Sequence, residues 1–277
     1  MKRIIACTLV LGVFLAVAAV AQPPILAGVD VFQTSTGAPT FADFSTNPIP
    51  ADFFCPGSAP FTGRIQLKGV PLSTLPAGAA ANGDTVVERL ADGVFSGGSA
   101  TIPVTVRALR LTSVNNFAVT CGNGITTYWR VDTCLCGSDA GQPITKITAT
   151  VDQACGCGHF SGTLQLRVCL TFTNVRSGAV AGPITQLITL NIVNMPWCPS
   201  PGAGEPTVPP FAVDTDCDGR PDRDLPGTTN FHPGWSCGNQ GVDCWTQYAN
   251  LTSCHPAADP PTDHDHCINP ICKPRQP

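Results

Sequence analysis

Asp214-Thr-Asp216-Cys-Asp218-Gly219-Arg-Pro-Asp222-Arg-Asp224 places five carboxylates within eleven residues. Three stand on alternate positions, and a glycine follows the third. Calcium takes roughly six to eight oxygen ligands, and alternate Asp residues entering a Gly turn supply several of them from one loop. Read as successive ligand positions, Asp214, Asp216 and Asp218 come first. The backbone carbonyl of Arg220 and the carboxylate of Asp222 follow. The next expected acid falls on Leu225, so Asp224 or another segment has to complete the shell. The competing reading is a solvated acidic turn.

Pro221 removes an amide that a paired EF-hand loop uses, and Pro206, Pro209, Pro210 and Pro226 deny the flanking helices. The stretch instead resembles the calcium loops of thrombospondin type-3 repeats, and of exported bacterial proteins that carry Asp-x-Asp-x-Asp-Gly-x-x-Asp. That likeness implies a calcium site of weak extracellular affinity, with a dissociation constant of about 10⁻⁴–10⁻³ M. Cys217 stands where such loops more often carry Gly, which implies a loop tied into a disulfide. Two further segments are similar to uncharacterised exported proteins of environmental bacteria, which join an N-terminal β region to a late Asp-rich loop. They are Asn47-Pro-Ile-Pro-Ala-Asp-Phe-Phe54 and the following Cys55-Pro-Gly-Ser-Ala-Pro-Phe-Thr-Gly63. This second likeness implies export and domain order, and no catalysis.

Other clusters invite weaker readings. Cys134-Leu-Cys136 and Cys155-Gly-Cys157 offer four thiols that strands can bring together, with Cys169 near them. Zinc is one reading, but the C-x-C spacing and an oxidising compartment favour disulfides. His255, His264 and His266, with Asp263, Asp265 and Cys267, suggest either a transition-metal site or a polar tail. Trp235, Trp245 and Tyr248 suggest a sugar platform or packing over disulfides. Asp132, Asp152 and His159 are the residues that could be imagined as a catalytic set. The Ser-hydrolase, zinc-protease and P-loop motifs are absent, and Glu88 and Glu205 are the only glutamates.

These residues sit in a chain that begins like a secretory precursor. Lys2 and Arg3 precede an apolar run, Ile4 to Ala18, and Ala19-Val20-Ala21 forms a small-x-small cleavage site. Residues 1–21 therefore read as a signal peptide. The run is short for a membrane span, and no second one follows, so the mature chain is expected to be secreted without a transmembrane segment. Of 15 cysteines, only Cys7 falls in the signal, which leaves an even number for disulfides. Charged residues make up 12% and the net charge is −4, so no basic face for nucleic acid is visible.

From Val29 to Val193 the pattern is β. In Thr163–Thr173, Leu164, Leu166, Val168, Leu170 and Phe172 alternate with Gln165, Arg167, Cys169 and Thr171. Ile188, Leu190 and Ile192 repeat this, as do Ile102, Val104, Val106 and Ala108. Further strands are expected at 64–70, 85–90, 128–135 and 144–151. Pro103 fits best at an edge or a strand start. Phe61-Thr-Gly-Arg-Ile-Gln-Leu67 is similar to Phe160-Ser-Gly-Thr-Leu-Gln-Leu166. That means either two related units, about 29–115 and 120–195, or chance recurrence of like strands. The fold class is mainly β: an antiparallel sandwich or barrel-like region over 22–195, followed by an irregular, disulfide-rich C-terminal module. Residues 196–210, dense in proline, read as a linker, and 211–277 as the Cys- and Asp-rich module.

The functional expectation is a secreted, non-enzymatic surface or matrix protein that self-assembles or contacts matrix components, with calcium stabilising its C-terminal module. A calcium-dependent glycan-binding adhesin is the alternative, and a hydrolase the third.

Overall fold

The computed structural model describes residues 22–34, 39–72, 83–137, 141–152, 155–199, 209–234 and 251–253. These form fourteen strands and no α-helix: β1 (Gly28–Thr34), β2 (Thr40–Asp43), β3 (Arg64–Gly69), β4 (Thr85–Arg89), β5 (Ser99–Ser113), β6 (Phe117–Thr120), β7 (Thr126–Leu135), β8 (Thr145–Val151), β9 (Gly158–Asn174), β10 (Val180–Cys198), β11 (Phe211–Val213), β12 (Arg223–Leu225), β13 (His232–Pro233) and β14 (Leu251–Ser253). All but β11 and β12 belong to one twelve-stranded antiparallel sheet.

Three long strands organise that sheet. β7 and β8 lie end to end between β5 and β9: β8 pairs with the first part of each, β7 with the last. β10 flanks β9 along most of its length, while β3 and β4 flank β5 on its far side. β1 extends β4, and β2 extends β3. Strands from both halves of the suggested duplication thus share one sheet.

The alternation read in β9 is the spine of the core. Leu164, Leu166, Val168, Leu170 and Phe172 are all fully buried, whereas Gln165 and Arg167 face solvent. Ile188, Leu190 and Ile192 of the neighbouring β10, with Val104, Val106, Leu109 and Leu111 of β5, join them in one cluster. Phe53, Phe54, Phe117 and Phe44 pack rings around Phe172, mostly edge to face. Each such side chain contributes about 1.5–3 kcal/mol by leaving water.

The alternation in β5 changes phase where the sequence pattern carries straight on. Val86 is opposite Ala108 but Val87 is opposite Val106, so Arg107 is an extra residue, a β-bulge. Ile102, Val104 and Val106 face the main core, and after the bulge Leu109 and Leu111 do. Ala108, expected on the face of Ile102, turns to the other side. There it joins Val29, Val31, Leu72 and Val86 in a second, smaller core.

Pro103 lies within β5 rather than at its start. Its carbonyl accepts from Leu90 N, just past the end of β4 at Arg89. In a strand a residue's amide and carbonyl point the same way, so the missing donor also lies where β4 has ended. Pro196–Cys198, read as the start of a linker, instead continue β10. Trp197 is buried there between Phe95 and Phe231, and β13 pairs with its edge. The rest of the proline-rich stretch, 200–208, lies outside the described residues.

Four disulfides join Cys55–Cys121, Cys134–Cys217, Cys136–Cys169 and Cys157–Cys198. Cys155 is disulfide-bonded as well. The thiols read as a possible zinc set are therefore used in covalent bridges. Among the described residues no helix is long and apolar enough to cross a membrane.

Candidate metal centre

The Asp-rich segment is the loop of a short hairpin. β11 and β12 pair Phe211 with Leu225, Ala212 with Asp224 and Val213 with Arg223. One face of this hairpin is apolar: Phe211, Val213 and Leu225 close the second core over β1, β4 and Ala108. Beside that contact, Glu88 of β4 pairs with the bulge residue Arg107 at 2.5 Å and reaches Arg223 of β12 at 3.8 Å. Burial, and then the neighbouring Arg107, lowers the pKa of Arg223, while Glu88 opposes the shift. Cys217, inside the loop, is bridged to Cys134 of β7. Apolar contact, an ion-pair cluster and a covalent tie thus hold the loop against the sheet.

Within this frame Asp214, Asp216 and Asp218 each bring a carboxylate oxygen within 4.8 Å of the others. Cys217 and Gly219 adopt left-handed backbone (φ 63° and 90°), which curls the chain so that alternate side chains converge. Asp214 is 7% exposed, whereas Asp216 and Asp218 face solvent. Oδ2 of Asp214 accepts from Gly219 N at 2.8 Å, and its Oδ1 is buried without any hydrogen-bond partner. A buried carboxylate oxygen lacking a donor is costly, and a cation is one group that relieves it. Bringing three carboxylates together is also unfavourable unless positive charge enters. An all-oxygen donor set of this kind suits a hard cation such as calcium, magnesium or manganese.

The other residues read as ligands take different places. Asp222 accepts from Thr215 N (3.2 Å) and Thr215 Oγ1 (2.7 Å), which ties the two ends of the loop together. Asp224 is exposed on β12 opposite Ala212, and Arg220 N donates to Asp218 Oδ1 at 2.7 Å. The structure therefore brings Asp214, Asp216 and Asp218 together and gives Asp222 a bracing contact. Neither that brace nor the Glu88–Arg107–Arg223 cluster was visible in the loop sequence. Glu88 and Arg223 stand far apart in the chain and meet only through folding.

No family model matches the chain, and neither a curated protein nor a solved structure matches it.

The remaining clusters separate. His159 Nδ1 lies 2.7 Å from Asp152 Oδ2. Asp132 is elsewhere, accepting from Thr112 Oγ1 at 2.9 Å and facing Thr171 across the β7–β9 ladder. His159 and Thr171 are twelve positions apart on β9, roughly 40 Å of strand. The three do not converge. Trp235, Trp245, Tyr248 and the His255, His264 and His266 tail lie outside the described residues.

Proposed function

We propose that this chain is a secreted, non-enzymatic structural or assembly protein of the cell surface or extracellular matrix, whose Asp-rich hairpin is locked by calcium. The observation that carries the reading is the convergence of Asp214, Asp216 and Asp218 around a buried, unpartnered Asp214 oxygen. The four described disulfides and the signal-like N-terminus support an oxidising destination. Calcium is favoured over magnesium because a loop with two solvent-facing carboxylates suits a larger ion with flexible coordination.

The described acids support a structural reading for the rest of the molecule. Asp30 pairs with Arg89 in the interior, where Thr229 and Phe231 also meet the guanidinium. Asp43 pairs with Arg64, and Glu88 serves Arg107 and Arg223. In the calcium role, Asp214 anchors the ion from the buried side, and Asp216 and Asp218 approach from the solvent side. Asp222 and Cys217 hold the loop in shape. Calcium titration into the purified mature protein, read by melting temperature and protease resistance, tests this. The expected result is a saturable rise that Asp214→Asn removes. No response at several times the weak extracellular dissociation range, about 10⁻³ M, sinks the calcium reading.

A further inference from the structure

Cleavage after Ala19-Val20-Ala21 makes Gln22 the first residue of the chain, followed by Pro23 and Pro24. Backbone pairing at this end starts at Ile25, which exchanges hydrogen bonds with Gly93 at 2.9 and 2.7 Å. Gln22 therefore lies ahead of the sheet, on a stretch that its two prolines hold extended. Its side chain is placed all the same. Gln22 Nε2 donates to the Gly156 carbonyl at 3.4 Å, across 134 positions of sequence. A Cβ on Gly156 would meet that nitrogen at 3.3 Å and Pro199 Cγ at 3.8 Å. Gly156 has left-handed backbone (φ 86°) and precedes Cys157, which is bridged to Cys198. The start of the mature chain thus rests on a disulfide-held turn.

An amino-terminal glutamine carries its own reaction partner, because its α-amine can reach its own side-chain carbonyl carbon. We propose that Gln22 is a modification site, at which the mature chain closes to an amino-terminal pyroglutamate. The α-amine attacks Cδ of the same residue and forms a C–N bond. The Cδ–Nε2 bond breaks, the attacking nitrogen gives up a proton, and Nε2 leaves as ammonia. The step needs no oxidant, reductant or metal. It opens only when Ala21 is removed, since the lone pair of a peptide nitrogen is tied up in resonance. It therefore rests on the secreted part of the functional reading, and not on the ion. Gln22 is half-buried and Pro23 is exposed, so the amine turns onto the side chain without breaking a ladder hydrogen bond. The product has no α-ammonium, which suits a resting place on Gly156 and Pro199, neither of which carries charge. The donor lost with Nε2 is replaced by the N–H of the ring.

The test is export of the full chain, signal included, from a bacterial host, followed by mass spectrometry and stepwise degradation of the amino-terminal peptide. Free amines are labelled on the folded protein before digestion, so that a ring closed during handling is not counted. The expected peptide starts at residue 22, carries no label and is lighter than the encoded sequence by one ammonia. It resists stepwise degradation until a pyroglutamyl peptidase exposes Pro23. Gln22→Ala is expected to be cut at the same place and to give an open, labelled start. Its melting temperature should be unchanged, because only one long hydrogen bond is removed. A labelled glutamine at residue 22 that persists through days at neutral pH overturns the proposal and leaves the secreted reading standing. A start at any other residue, or an uncut signal, overturns both. A blocked start in Gln22→Ala also overturns the proposal, because it places the block on a different group.

Discussion

The β9–β10 pair and the β11–β12 hairpin are both antiparallel, and both are stapled by cysteines, yet they hold their shape in different ways. β9 runs 17 residues with ladders on both sides and six fully buried apolar side chains on one face. Its order follows from area removed from water and needs nothing bound. The hairpin has three residues per strand and offers three apolar side chains to a borrowed surface. A two-stranded ribbon of that size is not stable alone. Its order comes from the sheet it docks on, from one disulfide and, in our reading, from an ion. The first region is expected to report global stability, and the second local opening under conditions that spare the sheet.

Truncating the core tests the first half of this contrast and has the largest expected effect. Phe172→Ala deletes the ring on which four other rings converge and is expected to cost about 3–5 kcal/mol, measured by denaturant unfolding. Loss of far-UV and near-UV signals should coincide. Removing the Cys134–Cys217 bridge by paired Ser substitution is expected to cost less, about 2–4 kcal/mol. Early proteolysis should then concentrate at 211–225 while the sheet persists. Cleavage spread evenly over the chain would erase the distinction between the regions.

Calcium is the next smaller lever. At ten times its dissociation constant it is expected to add about 1.4 kcal/mol by linkage, and Asp214→Asn should abolish that gain. Asp216→Asn and Asp218→Asn should weaken the ion response while leaving the ion-free melting temperature nearly unchanged, because both are exposed. A Phe172→Ala protein that still folds should show the same calcium increment as its parent. If the increment vanishes with the core mutation, the hairpin is not a local unit.

A separate lever is a pH dependence lodged in the main sheet. Asp84 is buried and accepts from Thr34 N, Thr34 Oγ1 and Thr85 Oγ1. Burial raises its pKa from 3.8 to about 7, against the lowering by the three hydrogen bonds. The folded state thus holds the Asp84 proton more tightly than the unfolded chain. Its contribution to stability falls as pH rises from about 4 to about 7, and levels off above that. Asp84→Asn should flatten this part of the profile in thermal melts recorded across the range. A profile identical to that of the parent would show that Asp84 does not titrate there. Calcium at the loop should leave this slope in place, since Asp84 belongs to neither the hairpin nor its apolar contact.

Much of the β architecture was legible because period-two alternation depends only on local sequence. β9, β10, β3, β4, β7 and β8 all occur where alternating or β-rich runs predict them. Ala108 was misplaced because a bulge arises from the pairing of β5 with β4 and leaves no mark in the alternation itself. Disulfide partners were not legible for a related reason. Cys134 is directly opposite Cys169 in the ladder, yet Cys169 bonds Cys136, and Cys134 reaches Cys217 in the docked loop. In the candidate site, the Asp214, Asp216 and Asp218 spacing foretold their convergence because a single turn produces it. Asp222 read as a ligand by spacing, but the structure gives both its oxygens to Thr215. The seam between β2 and β10, where Gln186 donates to the Asp43 carbonyl, joins residues 143 positions apart, so no motif could have announced it.

The extra residue at Arg107 gives β5 two allegiances. Before it, the strand's large side chains serve the main interior; after it, one small side chain is handed to the opposite surface, beneath the hairpin. A single-codon insertion after Arg107, accommodated within the ladder, would return Ala108 to the interior and swing Leu109 outward, against Phe211 and Val213. The ion loop would lose its seat although none of its own residues had changed. Tolerance to insertion in β5 is therefore set by the parity of the strand, and a lesion there would be read out in the seating of the Asp214–Asp218 loop.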